Sequence, residues 1–152
     1  MKRRMTSCRN FAKYWLPLLL WMCFIFWMST ETFSSENTFS WTKMLLLFLA
    51  PKISAQEMVF IHALIRKAAH VTEYFVLGFL MFRTLRGNST LWWNWRWSFF
   101  AVIGVALWAL GDEFHQSFVS TRTASAVDVA IDTAGGILAQ FVAALWHRDR
   151  RK

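Results

Sequence analysis

Twelve of the seventeen Lys and Arg residues lie in three short segments, and those segments hold only one of the nine acids. The first segment contains Lys2, Arg3, Arg4, Arg9 and Lys13. The second contains Arg83, Arg86 and Arg96. The third contains Arg148, Arg150, Arg151 and Lys152, together with Asp149. The other eight acids share the rest of the chain with Lys43, Lys52, Arg66, Lys67 and Arg122. Apolar stretches separate the two kinds of region. A membrane accounts for such a split. Four crossings put all three basic segments on one face, and basic flanks are retained on the cytoplasmic face. Both termini are therefore expected inside, and the acids outside.

Composition agrees. Of 152 residues, 56% are hydrophobic, with ten Trp and fifteen Phe. A soluble domain of this length could not hide so much aromatic surface. The length allows one all-α polytopic domain and no sizeable soluble module. The net charge of +8 sits beside apolar segments. Topology and anionic lipid explain it there, and no nucleic-acid partner is expected. Cys8 and Cys23 cannot readily meet, and there is no CxxC pattern.

The chain divides into a basic tail over 1–13, a four-helix membrane domain over 14–146 and a basic tail over 147–152. The first span is expected over Tyr14 to Ser29, with Pro17 in its first turn. Its bulky aromatics and the lack of an A-x-A-like site argue against a cleaved signal peptide. Glu31 to Ser40 is polar and reads as a loop. Trp41 to Ala50 is apolar but too short to cross, so it reads as an interfacial or re-entrant helix closed by Pro51. Ser54 and Glu57 have capping-box spacing. A long helix is predicted from there, outside the membrane in its first half and crossing in its second, to about Phe82. Arg83 to Arg96 is a loop with a Gly87-Asn88 turn, beside a belt of Trp92, Trp93, Trp95 and Trp97. The sequon at Asn88 would face the cytoplasm and carries no weight. The third span is expected over Trp97 to Gly111, a polar connection over Asp112 to Ser125, and the fourth span over Asp128 to Trp146.

Helical geometry gathers the ionisable residues. Arg66 lies about 25 Å along the helix from Arg83, with His70 about 6 Å and Glu73 about 10 Å deeper than Arg66. The spacing i, i+4, i+7 puts Arg66, His70 and Glu73 on one face, extended outward by His62. Lys67 and Tyr74 form a neighbouring stripe. Asp112, Glu113, His115 and Gln116 end the third span at the same depth. Asp128 and Asp132 begin the fourth, followed by Gly135 and Gly136, where helices can approach closely. Ionisable groups near lipid are costly, so their collection at one depth marks a candidate site. Each also has a plainer reading. Lys67 serves equally as an interfacial anchor, Asp128 as a helix cap, and an Arg66–Glu73–Asp132 network as architecture.

Read in order, Arg66-Lys67-Ala-Ala-His70-Val-Thr-Glu73-Tyr74, then Asp112-Glu113-Phe-His115-Gln116, then Arg122-Thr123-Ala124-Ser125 with Asp128, and Asp132-Thr133-Ala-Gly135 resemble the VanZ-like family of small bacterial membrane proteins. The match runs from about Leu64 to Leu138. It departs from the family at Ser120-Thr121, where Pro-Gly is usual, and at Asp132, where Asn is common. The resemblance implies a multi-pass protein of the bacterial plasma membrane. It also implies a part in envelope or glycopeptide-antibiotic tolerance, since the namesake protein lowers susceptibility to teicoplanin.

Two main readings of the site stay open. In the first, Arg66, Lys67 and Arg122 hold a phosphate or carboxylate, while Tyr74, Glu113, Gln116, Asp128 and Asp132 orient sugars, amides or ammonium groups. Membrane lipids, a lipid-linked cell-wall precursor or a lipid-tailed glycopeptide antibiotic are the expected partners. In the second, the protein is an enzyme. His70 or His115 is then the general base, with Glu73 or Asp112 as orienting partner. No cofactor is expected. With no HExxH and no Cys set, no metal ligands are assigned. Transport, a third reading, would need a homo-oligomer to supply enough spans.

Overall fold

The computed structural model describes residues 10–119 and 125–149, and the described chain is helical with no strand. Five α-helices follow one another. Helix α1 spans Leu16–Met28 and is preceded by a π-helical turn at Phe11–Trp15. The others are α2 at Ser35–Leu49, α3 at Ala55–Arg86, α4 at Trp95–Gln116 and α5 at Ala126–Asp149. Among the described residues, three segments are long and apolar enough to cross a membrane, namely Phe11–Met28, Trp95–Gln116 and Ala126–Trp146. The protein is thus a helical membrane protein. Helix α3 falls outside that set because Arg66, Lys67 and Glu73 interrupt its apolar pattern before Arg83 and Arg86 close it.

Local chemistry sets the helix ends. Ser54 and Glu57 form the capping box that their spacing predicts, the Ser54 hydroxyl accepting from Glu57 N–H at 3.2 Å and Glu57 accepting from Ser54 N–H at 2.9 Å. Gly87 ends α3 with φ of 52°, a left-handed conformation that favours glycine. The stretch Glu31 to Ser40, expected as a loop, is helical from Ser35 onward. Ser34 caps α2 by accepting from Asn37 N–H, and Thr38, Ser40 and Thr42 satisfy their hydroxyls on carbonyls four residues back. The polar composition that suggests a loop therefore supports a helix instead. Likewise Asp112 to Gln116 belong to α4, so the connection to α5 begins at Ser117 rather than Asp112.

Helices α3, α4 and α5 form the core, and α1 lies against α3. Small residues allow the close approach. A Cβ on Gly135 would stand 2.6 Å from the Val71 carbonyl oxygen, and one on Gly78 would stand 2.9 Å from the Gly136 Cα. Gln140 adds a cross-helix bond, donating to the Gly78 carbonyl at 3.0 Å. Such packing, together with interhelical hydrogen bonds, drives association where lipid removes the hydrophobic advantage of burial. Leu18, Ile25, Tyr74, Leu77, Val105 and Ala109 fill the centre.

Contacts fix the relative heights of the helices. At one end Tyr14 donates to Asn88 and Thr84 donates to the Tyr14 carbonyl. At the other end Ser29 reaches Asp112, and His70 reaches Asp132. The stretch of α3 from His70 to Arg86, about 24 Å long, therefore runs alongside the three apolar segments. Its first half extends beyond them, where His62 Nδ1 meets Thr42 Oγ1 of α2 at 3.1 Å and Phe39 packs edge-on against the His62 ring. Helix α2 turns a broad apolar face outward, with Phe48 82% exposed, beside Val59, Phe60, Leu64 and Ile65 of α3.

Candidate functional site

Two adjoining clefts open where α3 leaves the bundle. The larger, about 370 Å³, is lined by Ser35, His62, Arg66, Lys67, His70, Gln116 and Asp128 among others. The smaller, about 140 Å³, is lined by Ser29, Thr42, His62, Arg66, His70 and Glu73 among others. His62, Arg66 and His70 border both, as one face of a helix requires for residues four apart. Lys67 lines only the larger cleft and Glu73 only the smaller.

Asp112 organises the floor. Its Oδ2 accepts from the Ser29 hydroxyl at 2.7 Å, from Gln116 Nε2 at 3.0 Å and from the Tyr74 hydroxyl at 3.4 Å. Gln116 also donates to Ser29 Oγ at 3.3 Å. Three buried side chains, from the C-cap of α1, from α3 and from α4, thus converge on one carboxylate oxygen. Helical continuation through Gln116 makes this geometry, because Asp112 and Gln116 are one turn apart.

Asp132 forms the second node. It is fully buried, and its Oδ1 shares a hydrogen bond of 3.1 Å with His70 Nδ1. Two residues expected at one depth on different helices are thus in direct contact. Glu113 turns inward and accepts from Ser125 N–H at 2.7 Å, which ties the start of α5 to the end of α4. Ser125 caps α5 by accepting from Val127 N–H at 3.2 Å. Asp128 is consequently released from the capping role and lines the larger cleft.

The expected residues thus divide. Arg66, Lys67, His70, Glu73, Gln116 and Asp128 border the clefts, while Tyr74, Asp112, Glu113 and Asp132 are buried behind them. His115 faces another way. Its ring stacks on Phe26 of α1 with centroids 4.5 Å apart, and it borders neither cleft. An i, i+3 spacing from Asp112 brings His115 to the same height but here not to the same pocket. Arg122 lies outside the described residues. Sequence reasoning left Ser29 and Thr42 out of the site. Ser29 carries a usable signal, a hydroxyl at the end of an apolar span, level with the acids of its neighbours. Trp21 is another omission, its indole N–H donating to the Glu73 carbonyl at 2.9 Å.

The arrangement has an excess of acceptors. Asp112 Oδ1, Glu113 Oε1 and Asp132 Oδ2 are buried without a hydrogen-bond partner among the described residues. Burying such oxygens is costly unless a donor or a proton reaches them. No cluster of three His, Cys, Asp or Glu with metal-holding geometry occurs among the described residues. The larger cleft is instead bipolar. Arg66, Lys67 and His70 on α3 form one wall, and Asp128 on α5, with Gln116 on α4, contributes the other.

A protein-family model described as VanZ/LLP1 matches residues 14–147. No curated protein and no solved structure matches the chain. The match covers most of the sequence, and the chain belongs to the VanZ/LLP1 family.

Proposed function

We propose that this VanZ/LLP1 family member binds the polar head group of an envelope amphiphile at its bipolar cleft and thereby contributes to glycopeptide-antibiotic tolerance. The observation that carries the reading is the cleft's division, with Arg66 and Lys67 on one wall and Asp128 on the other. A head group bearing phosphate or carboxylate beside hydroxyl, amide or ammonium groups complements both walls. A lipid-linked cell-wall precursor has that chemistry, and so does a lipid-tailed glycopeptide such as teicoplanin. The apolar faces of α2 and α3 beside the cleft suit the attached chain.

In this reading the second half of α3 is a fourth crossing, and α2 lies in the interface with the outer half of α3. Three observations support it. Helix α3 is coextensive with the three apolar segments from His70 to Arg86. Helix α2, about 22 Å long, is too short to cross. Lys13, Arg83 and Arg86 lie at the end opposite Asp112 and Asp128, which supports cytoplasmic termini and clefts in the outer leaflet of the plasma membrane.

A second reading is favoured by one contact. His70 is held through Nδ1 by Asp132, as an oriented general base is, and it borders both clefts. The protein would then modify the head group by acid–base chemistry.

Two experiments separate the readings. Purified protein is mixed with teicoplanin or with a polyprenyl pyrophosphate, and thermal unfolding is followed. Recognition raises Tm for the wild type, with graded losses in Arg66→Gln and Asp128→Asn. No shift with either probe would sink the recognition reading. Catalysis is tested on lipid and precursor profiles of a deletion strain, where His70→Asn, which keeps a donor for Asp132, fails to restore the wild-type profile although its abundance is normal. Full restoration by His70→Asn would exclude it.

A further inference from the structure

The opposite end of the bundle carries a further cleft, remote from Arg66. It is about 300 Å³ and is lined by Lys13, Tyr14, Phe79, Phe82, Arg83, Arg86, Trp92, Ala143 and Trp146. Three helical segments meet there: the turn before α1, the end of α3 and the end of α5. The three cations are grouped, and among the residues whose side chains are described no carboxylate lines the cleft or pairs with them. Aromatic rings hold them instead. Lys13 Nζ lies 5.0 Å and Arg83 Cζ 5.7 Å from the Tyr14 ring centroid. Arg86 Cζ lies 4.8 Å from that of Trp92. Tyr14 is itself fixed by its bond to Asn88 at 2.8 Å.

Such a cluster has a defined chemistry. Cations spaced around rings keep their N–H groups for an anion, because a ring face offers no competing acceptor of comparable strength. Arg86 spends part of its fork on the Leu91 and Ser89 carbonyls, which orders the α3–α4 connection, while the Arg83 guanidinium makes no hydrogen bond to the described residues. Phe79, Phe82, Ala143 and Trp146 continue the cleft along the apolar segments, where a hydrocarbon chain would lie. Basic pockets between membrane helices take up anionic head groups by this combination.

We infer that this cleft is a binding site for the phosphate diester of an anionic phospholipid, with Arg83 and Lys13 on the phosphate and one acyl chain along Phe79 and Ala143. Electrostatic complementarity selects an anion, and the apolar wall selects a lipid over a free ion. The site is independent of the head-group cleft around Arg66.

The test uses the full chain in nanodiscs or detergent micelles. Phosphatidylglycerol or cardiolipin is titrated, phosphatidylcholine serves as the zwitterionic control, and inorganic phosphate serves as the free-ion control. Retained lipid is read by native mass spectrometry and stability by thermal unfolding. The anionic lipids are expected to be retained and to raise Tm, with no shift from phosphatidylcholine or inorganic phosphate. Arg83→Gln should weaken retention roughly five-fold, the size of one basic residue's contribution at an anionic surface. Lys52→Gln, an exposed position at the other end that lines no cleft, should leave retention unchanged. Arg83→Lys, which keeps the charge, guards against misfolding and should bind more than Arg83→Gln. Equal retention of phosphatidylcholine, equal loss in Lys52→Gln, or a full Tm shift with inorganic phosphate alone would each overturn the assignment.

Discussion

His70 on α3 and Asp132 on α5 meet through Nδ1 and Oδ1 at 3.1 Å, joining two helices 62 residues apart in sequence at the depth of the clefts. Asp132 is fully buried, so removal of its partner leaves a carboxylate in a low-dielectric setting.

Replacing only one member of this couple should therefore cost far more than replacing the charge alone. His70→Ala is expected to lose about 3–5 kcal/mol of stability. Asp132→Asn, which keeps an acceptor for His70, should lose less than about 1.5 kcal/mol. Thermal unfolding of purified protein compares them, and equal losses would refute the pairing as a stabilising element.

Asp112 supplies a second case. Ser29→Ala removes its shortest bond, and a loss of about 1–2 kcal/mol is expected. The same change made in an Asp112→Ala background should cost at least about 0.5 kcal/mol less, because the two side chains share one network. A double-mutant cycle measures this directly, and strict additivity would contradict the geometry.

Close approach of α3 and α5 makes Gly135 sensitive. A Cβ there would meet the Val71 carbonyl oxygen at 2.6 Å, and backbone cannot step aside as a side chain can. Gly135→Ala should destabilise by roughly 1–3 kcal/mol. Gly111→Ala is the matched control, since its Cβ meets nothing within 4 Å. That change should be neutral or stabilising by up to about 1 kcal/mol. Membrane abundance and Tm report both.

The start of α3 offers a local test. Ser54→Ala deletes the side-chain half of the capping box and should cost about 1 kcal/mol. Glu57→Gln should cost less, since the amide oxygen still accepts from Ser54 N–H. A larger loss in Glu57→Gln would show that charge rather than capping dominates there.

Much of this was legible in the sequence, for identifiable reasons. Arg66, His70 and Glu73 follow the helix period, so their common face could be read directly. The capping box at Ser54 and the turn at Gly87 are short-range signals and fell where expected. Helix α2 began earlier than anticipated because Ser and Thr can return their hydroxyls to the backbone of their own helix. Such bonds are invisible to a composition argument. His70 and Asp132 could be placed at one depth, but the bond between them could not be read from spacing. Depth along a helix comes from residue spacing, but the rotation of one helix against another depends on packing. The same ambiguity turned His115 toward Phe26, and it hid Ser29, whose role exists only once α1 lies beside α4.

Helix α3 runs unbroken from the capped Ser54 to Gly87, and Gly78 and Gly135 press it against α5 near mid-length. Arg66 and Arg83 therefore ride on one stiff lever, about 25 Å apart, with a fulcrum between them. A swing of the lever about that fulcrum moves its two ends in opposite directions. Paired spin labels from each end of α3 to α5 would register it as one distance lengthening while the other shortens.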